Sequence, residues 1–361
     1  MDIVTFDPAA HCPRWEEFIV SSYRDPNYVM LSPAFLRWQF LDNPANHTGG
    51  YTLWLVVHQD AIIAQLGFVP FLGLTPTGQR FQGAYPINLM VQPEYRSVGV
   101  GAILLARLLK QIPCLINPGV NQAGATLGEG LGMRDLGYLR RYVAVIDASA
   151  ARSLAIDGRL PAGVQEVTPV DTAAARVIAS TKVPKEASAG FAFPQPTFGA
   201  ERNRDFLRWR YESHPAFAYE FLFTPDYSSV LVFHEEREES TGALLLRVVD
   251  VLARPEHQAA LFHTVLLAAK ARSAAIVDFF CSLSCYDAAL KAAGFFDEAE
   301  HSDGRIAALF QPLDFRKTGI RVLASHPDWS NGTQEDWYIT KADSDQDRPN
   351  DSRVVGDVAT K

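Results

Sequence analysis

Arg96, Gly99 and Gly101 stand in the run Val91-Gln92-Pro93-Glu94-Tyr95-Arg96-Ser97-Val98-Gly99-Val100-Gly101-Ala102, between a β-rich stretch and an amphipathic helix. Residues of these types at this spacing can cradle a pyrophosphate. Glycine removes the Cβ atoms that keep backbone amides away from an anion, and arginine supplies a fixed positive charge. The N-terminus of the helix that follows adds unpaired N–H groups and the positive end of its dipole. The Arg-x-x-Gly-x-Gly spacing is shorter than a Walker loop and lacks its Gly-Lys-Ser/Thr ending, which argues against a nucleoside-triphosphate site.

Positioning such a loop requires a strand before it and a helix after it, and the sequence supplies both. Residues 52–57 form a β-rich run, Gln59-Asp60 is turn-like and 61–71 resumes as apolar residues, which together read as a hairpin. Pro76-Thr77-Gly78 supplies the next turn, and 84–91 reads as the strand entering the loop. Val100, Ile103, Leu104 and Leu108 recur at helical spacing, so one face of that helix packs on the sheet. Beyond it, 114–117 reads as a short strand stopped by Pro118-Gly119, 128–136 as a glycine-rich helix, and 141–147 as a closing strand.

A second pass of the same pattern follows. Phe206-Leu207-Arg208-Trp209-Arg210-Tyr211 repeats Phe35-Leu36-Arg37-Trp38-Gln39-Phe40, each followed shortly by Pro-Ala at 215–216 and 44–45. Repetition at about half the chain length predicts two copies of one fold. Gly294-Phe295 then takes the place of Gly137-Tyr138. In the second copy, however, the positions of Arg96, Gly99 and Gly101 become Gln258, Leu261 and His263, so side chains replace the open approach that a phosphate needs.

The loop and its surroundings, including Leu136-Gly137-Tyr138 after it, resemble the acetyl-CoA signature of the GNAT acyltransferase superfamily over residues 50–147, and more loosely over 200–300. The resemblance implies an α/β (α+β) fold of tandem GNAT units, each a mixed, mostly antiparallel sheet flanked by helices. The expected units are 1–150 with the intact loop, a degenerate copy at 151–320, and an acidic tail at 321–361.

By the same resemblance the co-substrate is acetyl-CoA or another short acyl-CoA. Its pantetheine would run along Met90 and Val91, and its pyrophosphate would sit on Arg96, Ser97, Val98, Gly99, Val100, Gly101 and Ala102. The reaction implied is direct acyl transfer to an amine, with no metal. Chains of this size with one intact and one degenerate copy are similar to two-domain N-acyltransferases of nucleotide-linked amino sugars in bacterial surface polysaccharide pathways. The rival readings are a non-catalytic acyl-CoA sensor and an aminoacyl or peptidyl transferase of the tandem cell-wall type.

Two departures from the family pattern concern proton transfer. Met133 stands where the family often carries a tyrosine that protonates the leaving thiolate, which leaves Tyr138 or Tyr142 as substitutes. The strand before the loop carries Asn88 and no carboxylate, so a base would come from elsewhere: Asp250 on the comparable strand of the second copy, or His47 or His214 after the repeated aromatic segments. Each also has a structural reading, as a hydrogen-bonded carboxylate or a surface or capping histidine.

Composition bounds the partners. The 361 residues carry a net charge of −8 and 48% hydrophobic residues, with no run of basic side chains, which argues against general nucleic-acid binding. No apolar stretch reaches the length of a membrane span and the N-terminus lacks a signal-peptide pattern, so a cytoplasmic protein acting on a small molecule is expected. Four scattered cysteines read as reduced thiols. Asp343, Asp345 and Asp347 alternate as at the start of a calcium loop, but Arg348 and Val354 occupy the positions that require glycine and glutamate. The segment reads instead as a solvated acidic tail that docks through Trp337-Tyr338-Ile339.

Overall fold

The computed structural model describes residues 1–169, 177–189, 191–301, 303–310, 313–316, 318–329 and 332–355. In the N-terminal half, β1 (Asp2–Thr5) is followed by α1 (Pro8–Tyr23) and α2 (Pro33–Phe40). Asp7 and Ser32 cap these helices by accepting the N–H groups of Ala9 and Phe35, and each helix begins with proline, whose missing N–H would have no helical partner there. Then come β2 (Leu53–His58), β3 (Ala61–Leu74), β4 (Arg80–Val91), a 3-10 turn at Pro93–Val98, α3 (Val100–Gln111), β5 (Cys114–Pro118), α4 (Gln122–Gly130), β6 (Arg134–Tyr138) and β7 (Arg140–Val145). The glycine-rich helix thus lies earlier than the sequence suggested, and β6 takes part of its expected place.

After a short helix, α5 (Ala148–Ser153), the second half contains β8 (Ile178–Ser180), β9 (Gly199–Ala200) and α6 (Arg204–Leu207), which runs on into a π-helical turn. The pattern resumes with β10 (Tyr219–Phe223), β11 (Val230–Arg237), β12 (Leu244–Leu252), α7 (Pro255–Ala271), β13 (Ile276–Cys281), α8 (Asp287–Ala293) and β14 (Phe296–Asp297). A small hairpin, β15 (Leu309–Phe310) and β16 (Leu313–Asp314), leads to the last strand, β17 (Arg321–Ser325).

These elements form two large sheets. One has the order β1-β2-β3-β4-β5-β17-β6, with β9 on β3, and the other β14-β7-β13-β12-β11-β10-β8. Each has one parallel pair, β4 with β5 and β12 with β13, and is otherwise antiparallel. The halves exchange strands. β7, expected to close the first sheet, pairs with β13 and β14 in the second, and β17, expected in the tail, lies between β5 and β6 in the first. The topology therefore crosses the boundaries expected at 150 and 320.

The aromatic repeat marks the pseudo-two-fold relation between the halves. Trp38 Nε1 donates to the Trp209 carbonyl and Trp209 Nε1 to the Trp38 carbonyl, both at 2.9 Å, and the two rings stack at 5.3 Å. Trp38 and its neighbours Phe35 and Phe40 are buried, so the repeat serves packing.

The C-terminal stretch is not a solvated tail over its described length. Trp337, Tyr338 and Ile339 are wholly buried, and so, nearly, are Asp343 and Asp347, because each carboxylate meets a buried cation or histidine. Residues 356–361 lie outside the described residues. Among the described residues no helix is long and apolar enough to cross a membrane.

Candidate active site

β4 and β5 are paired only at Gly83–Cys114 and Ala84–Leu115, and beyond that point they part. The gap opens into a cleft of about 1220 Å³. Its walls come from β4 at Asn88, Leu89, Met90 and Val91, from the end of β5 and start of α4, and from the loop before α3, with Leu66, Leu105 and Leu127 as apolar lining. The edge of β4 that faces the gap has lost its strand partner, so its backbone N–H and C=O groups, apart from the Val91 carbonyl that Arg96 takes, are available to an extended ligand.

A β-bulge shapes this edge. The register jumps from Gln65–Met90 to Gly67–Ile87, and Asn88 takes a left-handed conformation with φ of 51°. Such a conformation is uncommon for a residue other than glycine, although asparagine tolerates it better than most. Here it is held from three sides. The Asn88 carbonyl accepts Gln65 Nε2 at 3.2 Å, and its Oδ1 accepts the hydroxyls of Tyr23 at 2.7 Å and Tyr28 at 3.2 Å. Burial pushes both tyrosine pKa values up, so both stay protonated as donors.

The far end of the cleft has the chemistry of an anion site. Gly99, with φ of 80°, ends the 3-10 turn and starts α3 without a side-chain cap, and a Cβ built on it would meet no protein atom within 4 Å. The first intrahelical bond runs from Ile103 N to Gly99 O, which leaves the N–H groups of Val100, Gly101 and Ala102 ahead of it. Arg96 Nε donates to Val91 O at 3.0 Å, bracing the loop while the rest of its exposed guanidinium stays available. Of the nine residues expected around the acyl-CoA, Met90, Val91, Arg96, Gly99, Gly101 and Ala102 line the cleft. Ser97, Val98 and Val100 do not; Val98 is exposed and Val100 is packed inward.

The candidate proton-transfer residues are not brought together, and none lines this cleft. Asp250 is sealed in the second half, where it accepts Arg202 Nε and the Tyr211 hydroxyl, each at 2.8 Å. His214 is buried against Trp38, with its Nδ1 accepting the N–H groups of Ala216 and Phe217. Burial, aided by Arg210, lowers its pKa. His47 is exposed in the loop between α2 and β2, and Tyr138 is exposed on β6 at the sheet edge. Met133 is buried beside Gly128.

The residues missed by sequence reasoning are Tyr23 and Arg24 at the end of α1, and Asp345, Gln346 and Arg348 from the C-terminal stretch, all of which line the cleft. The signal was present in the alternation Asp343-Ser344-Asp345-Gln346-Asp347. A strict period of two would set all three aspartates on one face; the chain instead turns here, with Ser344 at a φ of 65°, so that Asp343 and Asp347 point inward while Asp345 lines the cleft.

Two GNAT folds joined by strand exchange, with an open cleft between β4 and β5 in the first, describe this architecture. Solved structures of similar fold include a GCN5-related N-acetyltransferase from Kribbella flavida, with TM-score 0.55 and 15% identity, covering 90% of this chain and 71% of that one. Another from Anabaena variabilis aligns with TM-score 0.53 and 12% identity over 90% of this chain and 72% of its own. Eis1 from Mycobacterium abscessus aligns with TM-score 0.50 and 14% identity over 89% and 73%. At these identities the likeness is one of fold. No protein-family model matches the chain, and no curated protein matches it in sequence.

Proposed function

We propose that the protein is an acyl-CoA-dependent N-acyltransferase working from the cleft of its first half. The observation that carries this reading is the open gap between β4 and β5, ending at the uncapped N-terminus of α3 beside Arg96. A pantetheine arm matches the free edge of β4, because its two amides can pair with an unpartnered strand. A pyrophosphate matches the N–H groups of Val100, Gly101 and Ala102 and the Arg96 charge, and an anion at a helix N-terminus gains about 0.3–1 kcal/mol, more where water is excluded. The thioester would then lie near the Asn88 bulge, and an amine entering from the α1 side would attack its carbonyl carbon.

For the acceptor, a nucleotide-linked amino sugar is the class we carry forward. Arg24, exposed at the end of α1 and lining the same cleft, supports an acceptor with an anionic carrier. The reading is tested by titrating acetyl-CoA calorimetrically and by following thiol release with acetyl-CoA and a panel of amines: uridine-diphosphate amino sugars, spermidine and lysyl peptides. Micromolar binding with thiol release in the presence of an amino-sugar nucleotide is the expected result. Release with spermidine or lysyl peptides alone would replace the acceptor class, and binding without release for any amine would favour the sensor.

A further inference from the structure

We propose that Asp345 binds the ammonium group of the acceptor and takes its proton as the nitrogen attacks, an inference that rests on the acyl-transfer reading above. The ionisable side chains lining the cleft, among the described residues, are Tyr23, Arg24, Glu94, Arg96, Asp345 and Arg348. Only two of them are carboxylates. Glu94 belongs to the 3-10 turn with Arg96, at the end suited to the pyrophosphate. Asp345 stands at the other end and is tied to the bulge through hydrogen bonds: Arg348 Nε donates to its Oδ2 at 3.3 Å, Arg348 Nη2 to Tyr28 Oη at 2.9 Å, and Tyr28 in turn to Asn88.

The backbone on either side of Asp345 is anchored, which fixes where its carboxylate sits. Asp343 Oδ2 accepts Arg202 Nη2 at 2.9 Å and the Thr340 N–H at 2.9 Å, and its Oδ1 accepts the Tyr85 hydroxyl of β4. Asp347 accepts the Tyr219 hydroxyl at 2.6 Å and meets His234 Nε2 at 3.1 Å, while its carbonyl accepts Arg210 Nη2 at 3.0 Å. Both anchors are almost fully buried, whereas the Asp345 side chain retains 12% of its exposure. Gln346 lies against Gly119 at the end of β5, where its side chain fills the place of a Cβ, and donates to Asp345 Oδ1 at 3.0 Å. The segment therefore spans the mouth of the gap from β4 to β5.

The carboxylate also has capacity left. A carboxylate offers about four lone-pair sites, and Asp345 receives Gln346, Arg348 and a long contact from Ser344 at 3.4 Å. A site remains for the acceptor. In the reaction the ammonium gives one proton to Asp345, the freed nitrogen lone pair forms the C–N bond with the thioester carbon, and the C–S bond breaks. The departing thiolate takes the second nitrogen proton, and Asp345 returns its own to water. Amine and thioester thus become amide and thiol with no further reactant.

The test compares wild type, Asp345→Asn and Asp345→Glu in thiol release with acetyl-CoA and the best amine of the panel, from pH 6 to pH 10, with acetyl-CoA titration of each. A positioned base contributes about a hundredfold or more, so Asp345→Asn should lose at least that in kcat/KM near neutral pH. It should regain activity at high pH, where water supplies the free amine, and bind acetyl-CoA as wild type does. Asp345→Glu should recover part of the loss with a pH profile of wild-type shape. Asp345→Asn with a wild-type rate and profile overturns the assignment, as does a loss of rate matched by an equal loss of acetyl-CoA affinity or unrelieved by high pH. Wild-type protein that releases no thiol with any amine instead overturns the acyl-transfer reading itself.

Discussion

The first half parts β4 from β5 and leaves the gap open, whereas the second parts β12 from β13 and fills it. Pairing of β12 with β13 ends at Val248–Phe279, and there Val251 N donates to Tyr338 Oη at 3.0 Å, while the Tyr286 hydroxyl reaches the Val251 carbonyl. Ile339 completes the plug by exchanging hydrogen bonds with Ser282, just past β13. The helix start differs as well. α7 begins directly at Pro255 after Arg254, with no 3-10 turn and no left-handed residue, and Gln258 and Leu261 are buried within it. One plan thus yields an open cleft where the strand edge is left free and a glycine opens the helix start. It yields a scaffold where tyrosines satisfy the same edge. The C-terminal stretch joins the two, since its 337–340 part plugs one gap and its 345–348 part lines the other.

The comparison can be broken most forcefully at the ionic link between the halves. Arg202 bridges Asp250 of β12 and Asp343, which also receives Tyr85 of β4, and all three charged groups are sealed from water. Arg202→Met strands two buried carboxylates and should cost about 5 kcal/mol, the upper end for a broken buried pair. Urea unfolding should show that loss in one transition shared by both halves. Two separated transitions would mean the halves are not coupled through this link.

Removing the plug tests whether the second gap is a hidden site. Tyr338→Ala should lower stability by about 3 kcal/mol, as for a large buried aromatic, and the acetyl-CoA stoichiometry should stay at one per chain. A stoichiometry of two would show that tyrosine alone separates the halves. On the other side, Gly99→Val puts a β-branched residue at a φ of 80° and a side chain where the phosphate would approach. Acetyl-CoA affinity should fall by more than about tenfold, or 1.4 kcal/mol. Unchanged affinity in a folded variant would remove the loop from the binding site.

The smallest effect concerns His214 at the junction, faced by Arg210, Asp347 and His234. Burial holds its folded pKa below the ordinary 6.5, so above pH 6.5 both folded and unfolded chains carry it neutral and its contribution is constant. Below 6.5 the unfolded chain takes up the proton first, and stability should fall with pH, by at most about 1.4 kcal/mol per pH unit for one such group. The fall ends at the depressed folded pKa. His214→Phe should flatten the stability curve between pH 6.5 and 5, as measured by denaturation at each pH, and an unchanged slope would assign it to other groups.

Much of the first half was legible because its information is local. The hairpin of β2 and β3, the strand β4, the loop at Arg96–Gly101 and most of the face of α3 are each written in residues a few positions apart; on that face Ile103, expected to pack inward, is exposed, and Leu105 is buried in its stead. So is the repeat at Trp38 and Trp209, although the stacking of their rings on one another is decided by the tertiary structure. The proton-transfer candidates were not legible, since Asp250 is placed on the right kind of strand in the copy whose gap is closed. Nothing in its neighbouring residues tells a sealed carboxylate from an exposed one.

The sequence by itself determined the two-copy α/β plan and the intact anion loop in one copy only, since glycine, proline and apolar spacing act on the backbone within a turn or two. The tertiary structure alone decided the exchange of β7 and β17, the tyrosine plug and the place of Asp345 at the cleft. These depend on partners far apart in the chain: Arg348 reaches Tyr28 across 320 positions, and Tyr85 reaches Asp343 across 258. Local propensity is blind to such pairs, because what fixes them is which buried charges and strand edges find satisfaction once both sheets have packed together.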